Sequence, residues 1–224
     1  MYLASLIGLL IGWKTRVCAI AAWLLHTVSV NSGYLSLYGV DTMIHVCLFY
    51  CAWMPAGECL SLDRYRSKRA IVPTFMARVG IRTLQLHLCI IYANTGIAKM
   101  RGEQWWSGEA IWRALMQPQF SVMDYSWLAG FPALAMLACW AVMFIECGYP
   151  VFIWPARTRP FWLVATVALH SGIGAMMGLW MFSLIMIVMN ASAFGVELLD
   201  SSARGRREAL ESATAAPAAV TMAD

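Results

Sequence analysis

Charge is what this chain has least of. Only 12% of its 224 residues are charged, 12 acidic against 16 Lys and Arg, while 61% are apolar. With a mean hydropathy of +0.65, that balance excludes an ordinary water-soluble domain and predicts a polytopic membrane protein, with membrane lipids as partners and no nucleic acid. Cysteine is present but unpaired by motif. No CxxC or Cys/His metal spacing occurs among the seven cysteines, and Cys47 and Cys51, one helical turn apart, make a poor disulfide; no metal is expected. A basic n-region and a small-residue cleavage site before Trp13 are also missing, which argues against a secretory signal.

What the chain does have is apolar runs bounded by tryptophan. Trp13, Trp53, Trp105, Trp106, Trp127, Trp154 and Trp162 all fall near run ends, where the headgroup boundary favours indole. Taken in order, 1–12 is too short to cross a bilayer and reads as the tail of a helix. The next segments are 17–30, then 42–62 bent at Pro55-Ala56-Gly57, with Asp41 and Thr42 as caps. An amphipathic interfacial helix is expected over 107–116, capped by Ser107 and laying Ile111, Trp112 and Leu115 on lipid. A span over 127–147 ends at Glu146-Cys-Gly-Tyr-Pro150. The run 161–196 is too long for one helix and is expected to split near Gly178 to Met181. The fold class predicted is therefore all-α, a polytopic transmembrane bundle of about six to seven membrane segments, the first one short, plus one interfacial helix. Residues 1–196 make the membrane domain and 197–224 a disordered tail.

Basic residues orient this bundle. The stretch 63–78 carries five basic residues and one acid, and 155–160 is a second basic loop. With the split in the last run, twelve of the sixteen Lys and Arg lie on one side, which the positive-inside rule makes cytoplasmic. Loops 63–78 and 155–160 and the C-terminal tail are thus expected inside a plasma (bacterial inner) membrane.

One apolar run has a polar face. Arg82, Gln85, Cys89, Tyr92, Gly96 and Lys99 recur at three- and four-residue steps and so share one side of a helix. Such a stripe faces a bundle interior or wet cavity, or its end charges snorkel to the interfaces. Tyr92, Asn94 and Gly96 leave a polar, open approach to Lys99. Of the four histidines, His26, His45 and His87 read as packed, hydrogen-bonded residues. His170 reads as functional, because Ser171, Gly172 and Gly174 make a narrow helix surface that admits a close neighbour. Lys99 lies at the outer end of its helix and Glu146 late in an inward span, so Lys99 is expected beside Tyr92 and His170, with Glu146 a weaker member.

The segment Gln85-Leu-His-Leu-Cys-Ile-Ile-Tyr92-Ala-Asn-Thr-Gly96-Ile-Ala-Lys99-Met, followed by Trp105-Trp106-Ser-Gly108, resembles the central motif of the HTTM domain. That family comprises bacterial membrane proteins related to vitamin K-dependent γ-carboxylase. Gly39-Val40-Asp41, Glu146 to Pro150, Arg157-Thr-Arg-Pro160, and His170-Ser-Gly-Ile with Gly178 and Phe182-Ser183 are similar in order to further family motifs. The resemblance implies Lys99, His170 and Tyr92 as catalytic residues and Gly96, Trp105, Trp106 and Glu146 around a quinone-like lipid cofactor. By that likeness Lys99, as a neutral amine, deprotonates a reduced quinone, His170 orients a polar ligand group and Glu146 tunes the charge. Three features depart from the family: a further N-terminal helix is missing, Val30-Asn31-Ser32 replaces an Asn-Arg-Asn-like run, and the chain ends soon after its last span. Protein γ-carboxylation is accordingly not expected. Two readings follow: an enzyme acting on a lipophilic small molecule at the outer leaflet, or a non-enzymatic transporter, accessory or self-protection protein that keeps the fold.

Overall fold

Gly178 divides the longest apolar run as its backbone requires. The residue adopts φ 71°, a left-handed conformation that L side chains resist, and it separates a helix over Arg159–Met177 from one over Trp180–Asn190. The computed structural model describes residues 1–33, 38–67, 74–120 and 122–195. Among these it contains ten α-helices and no strand: α1 (Tyr2–Ile11), α2 (Thr15–Ser32), α3 (Gly39–Trp53), α4 (Leu62–Ser67), α5 (Phe75–Met100), α6 (Glu103–Trp106), α7 (Glu109–Leu115), α8 (Pro132–Phe152), α9 (Arg159–Met177) and α10 (Trp180–Asn190). The expected tail, 197–224, lies outside the described residues.

Among the described residues two helices, α8 and α9, are long and apolar enough to cross a membrane by length and composition, with mean hydropathies of 1.7 and 1.4. The sequence reading expected about six to seven segments. The difference has local causes. Helices α1 and α3 are apolar but short, at 10 and 15 residues, and α3 stops at Trp53 instead of bending through Pro55. At 26 residues α5 is long enough, but Gln85, His87 and Asn94, together with Arg82 and Lys99, keep its hydropathy low.

Other boundaries shift for physical reasons. Asp41 does not precede α3; it sits inside the first turn, where its carboxylate accepts the Tyr38 backbone N–H at 3.1 Å. The basic stretch 63–78 is helical at both described ends, in α4 and in the first turn of α5, where Thr74 caps by accepting the Ala77 N–H at 3.1 Å. Gly108, at φ 88°, lies so close to the Met136 backbone that no larger residue fits, and it draws α7 onto the start of α8. Leu115 is buried there with Tyr125, Leu128 and Ala135, and Ile111 and Trp112, partly buried, pack against them. Helix α8 starts at Pro132, where a missing N–H costs nothing, and continues through Pro150 to Phe152, past the expected stop. Trp162, expected at a boundary, is buried against Gly148 and donates its indole N–H to the Ile145 carbonyl at 3.2 Å.

The core lies where α5, α8, α9 and α10 meet, with α3 closing one side. Antiparallel α5 and α8 pair in register: Tyr92 stacks on Tyr149 at 4.1 Å, Gly96 abuts Cys147, and Lys99 reaches Glu146. Beyond the end of α5, α6 continues along the first half of α8, where Trp140 Nε1 donates to the Trp106 carbonyl at 3.2 Å. Lys99 is therefore level with the middle of α8, not with its end. At the far side, α10 passes into a π-helical turn over Ala191–Gly195. There the Ala193 carbonyl accepts Gln85 Nε2 at 2.6 Å, and Phe194 packs edge-on to Trp154 and Tyr149.

Candidate functional site: a buried hydrogen-bond relay

The polar stripe of α5 turns inward as expected. Gln85, Cys89, Tyr92 and Gly96 are buried, Lys99 is partly buried, and Arg82 at the margin is exposed, donating to Gln85 Oε1 at 2.8 Å. Tyr92 and His170 meet as the sequence predicts. The phenol oxygen is 2.8 Å from His170 Nε2, and the two residues are only 2% and 4% exposed.

Two residues that the sequence did not single out complete this centre. Asn190 Nδ2 lies 2.8 Å from the Met186 carbonyl and 3.0 Å from Tyr92 Oη, and Asn190 Oδ1 lies 2.7 Å from Tyr149 Oη. A backbone carbonyl only accepts, so Met186 fixes which end of the amide is NH2. One arrangement of the remaining bonds gives every phenol hydrogen an acceptor. Tyr149 donates to Asn190, Asn190 donates to Tyr92, and Tyr92 gives its single hydrogen to His170 Nε2. In that arrangement neutral His170 carries its proton on Nδ1. That atom is buried and has no hydrogen-bond partner among the described residues, and the same holds for Ser183 Oγ. Ser183 faces α9 at Gly174, one turn beyond His170, where an added Cβ would lie 3.0 Å from Ser183 Oγ. Gly172, expected to share in this close approach, faces open space instead.

Lys99 belongs to a second centre. Its Nζ donates to both Glu146 oxygens, at 2.8 and 2.6 Å, and stands 5.1 Å from the Trp105 ring centroid, within cation–π range. The side chains are 21% and 10% exposed, so the lysine is held inside and does not snorkel. The expected grouping of Lys99 with Tyr92 and His170 thus divides. Lys99 is two turns, about 10 Å, along α5 from Tyr92, and Glu146, expected to be the distant member, is its direct partner. Pro150 has no N–H to offer the Glu146 carbonyl one turn back, which frees that backbone oxygen. The space above Gly96 is not open to a ligand: an added Cβ would lie 2.8 Å from Cys147 Sγ and 3.0 Å from its backbone N. Trp106 faces outward and donates its indole N–H to the Met100 carbonyl at 2.7 Å.

The other histidines have structural partners. His26 Nε2 donates to the Asp41 carbonyl and Nδ1 accepts from Tyr2 Oη, both at 3.0 Å. His45 Nε2 accepts the Trp23 indole N–H at 3.0 Å, and His87 Nδ1 lies 3.1 Å from Tyr50 Oη.

Fold and site together define an all-α bundle built around a buried Tyr–Asn–Tyr–His relay beside a lysine–glutamate pair. Against known proteins, the chain matches no family model, no curated sequence and no solved structure.

Proposed function

We propose that the chain is a multi-pass integral membrane protein, resembling the HTTM family and the membrane domain of vitamin K-dependent γ-carboxylase, that binds a quinone-like or other lipophilic molecule and handles a proton on it. Membrane residence is supported by the outward faces of α8 and α9. Leu134, Leu137, Phe144, Val151, Phe161 and Val164 are each about half exposed or more, an apolar exterior that water does not tolerate. The six-to-seven-segment topology, with loops 63–78 and 155–160 and the tail 197–224 inside, is part of this proposal.

The observation that carries the functional reading is the relay ending in a His170 Nδ1 that has no partner among the described residues. A buried polar network satisfied everywhere except at its last nitrogen and a neighbouring hydroxyl is suited to receive an oxygen from elsewhere. In that tautomer His170 Nδ1–H offers a hydrogen, as does the Ser183 hydroxyl, which faces α9 one turn beyond His170, and a quinone carbonyl or a phenolic hydroxyl would accept either. A reduced quinone, when bound, supplies an acidic hydroxyl and two reducing electrons. The chain's own part is to hold that oxygen at Nδ1 while Tyr92 occupies Nε2, with Asn190 and Tyr149 fixing the direction of the Tyr92 hydroxyl. Lys99 acts as a base only after its pair with Glu146 opens, since an Nζ donating to a carboxylate has no lone pair to offer. That closed pair favours the second reading, a non-enzymatic transporter, accessory or self-protection protein.

Mass spectrometry of molecules co-extracted with the purified chain separates the two. The enzymatic reading expects a quinone-like or phenolic lipid in the wild type and its loss from folded His170→Leu. A wild-type chain that carries none and binds no added short-chain quinone would reject it. Cysteine labelling is expected to find Ser67→Cys cytoplasmic and Gly102→Cys external; the reverse would sink the orientation.

A further inference from the structure

At the other end of α5, away from the relay, lies a cleft that the proposed chemistry does not use. Its inner part, about 340 Å³, is walled by α3, α5 and α10 through Cys47, Tyr50, Cys51, Leu84, Val188 and Met189. An adjoining hollow of about 460 Å³ shares Cys51, Met54, Pro55 and Ala56 with it and opens among Thr15, Arg16, Glu58, Asp63 and Thr74. Both volumes fall within the usual range of small-molecule sites, about 300–1,000 Å³. The cleft has a backbone cause. Met54 rests on Gly80, where an added Cβ would lie 2.6 Å from Met54 Cγ, so the end of α3 is pinned to α5 at one point. The chain then turns away at Pro55, and Ala77 on α5 is too small to fill the gap.

The two parts differ in chemistry. The inner walls are aliphatic, aromatic and thiol, with Ser192 at the margin. The mouth is polar, but most of its polar groups are already engaged. The Asp63 carboxylate accepts the Lys14 N–H at 2.9 Å, the Thr15 N–H at 2.7 Å and the Thr15 hydroxyl at 2.8 Å, and Thr74 caps α5. Arg16 is exposed and has no hydrogen-bond or ion-pair partner among the described residues. On the flanking turns stand Lys14, Arg64, Arg66 and Arg78, against Glu58 as the remaining acid at the mouth. An apolar slot that ends in a basic rim matches an amphiphile with an anionic head, and anionic lipids populate the cytoplasmic leaflet.

We infer that this cleft binds one acyl chain of an anionic phospholipid, with the phosphate at Arg16. The inference rests on the membrane reading alone and not on the relay. Arg16 supplies a planar, always-charged fork for the phosphate oxygens, and its neighbours raise the local concentration of anionic lipid. Cys47, Leu84 and Met189 take the chain.

The test uses the full chain in vesicles of phosphatidylcholine mixed with phosphatidylglycerol, released and examined by native mass spectrometry. Wild type is expected to retain about one phosphatidylglycerol per chain, preferred roughly tenfold over phosphatidylcholine. Arg16→Gln should bring that preference close to unity. Ala77→Phe, which fills the slot, should remove the bound lipid; if this variant fails to insert, Ser192→Phe fills the slot from the opposite wall. Equal retention of the two lipids by wild type overturns the inference, as does either class of variant retaining phosphatidylglycerol like wild type. Recovery of a quinone from the cleft in place of phospholipid overturns it too. A chain found in the soluble fraction overturns the membrane reading and this inference together, whereas lost lipid preference in an inserted chain removes only this inference.

Discussion

Removing the Glu146 carboxylate tests whether Lys99 is held by its partner or merely points to water. In Glu146→Gln the lysine keeps its place, with Nζ beside the Trp105 face, but loses two charged hydrogen bonds of 2.8 and 2.6 Å. Breaking one side of a fully buried ion pair costs about 3–5 kcal/mol. The lysine side chain here is 21% exposed and the glutamate 10%, so water recovers part of the loss and about 2–3 kcal/mol remains. Lys99→Met strands the carboxylate in the same way and should cost a similar amount. The double variant removes both charges and is expected to regain about 2 kcal/mol relative to the sum of the single losses. Unfolding in detergent by heat or denaturant, with all four proteins on one curve, gives the coupling directly. A coupling within about 0.5 kcal/mol of zero, the value for surface pairs, would refute the reasoning and restore the snorkelling lysine.

Three further outcomes follow from the same structure. Gly96→Ala should destabilise by about 1–3 kcal/mol because the Cys147 backbone cannot yield; thermal unfolding checks this against Gly172→Ala, which meets open space and should be neutral or slightly stabilising. Asn190→Leu leaves Tyr149 and Tyr92 without their shared partner inside the core and should cost about 2–4 kcal/mol, a value that wild-type-like unfolding would contradict. The hydrogen bonds from Thr15, with the smaller one from Lys14, hold the Asp63 carboxyl below the usual carboxylate range. Its contribution is therefore complete above about pH 4 and lost as pH falls below that; Asp63→Asn should flatten the acid limb of a stability–pH profile, and an unchanged limb would count against the cap.

How much could be read beforehand depended on whether the signal lay along one helix or between helices. The inward face of α5 was legible because its residues recur at the helical period, and the break at Gly178 because glycine tolerates a left-handed turn that other residues resist. Tyr92 and His170 each stood out as polar residues in an apolar run, and they meet. Asn190 gave the same signal, as the lone side-chain amide of its run, but nothing in its spacing pointed to Tyr149 on another helix. Lys99 with Glu146 was misjudged for a geometric reason. The depth argument assumed that the spans begin and end flush, whereas α8 begins beyond the end of α5 and continues through Pro150. Residues 47 positions apart thereby come level, and no pattern in either segment encodes that offset.

The π-helical turn at Ala191–Gly195 is a place where the fold can absorb a change of length. A π turn holds one more residue than the α turn it replaces, so deleting any residue of this segment lets the backbone relax to the regular spiral. One turn is thereby exchanged for one turn, so the cost would fall inside the segment, where the Ala193 carbonyl shifts against Gln85 and Phe194 against Trp154 and Tyr149. A one-residue deletion at 191–195 should therefore cost less than one in the middle of α5 or α8, where it would turn one half of the helix against the other by about 100°.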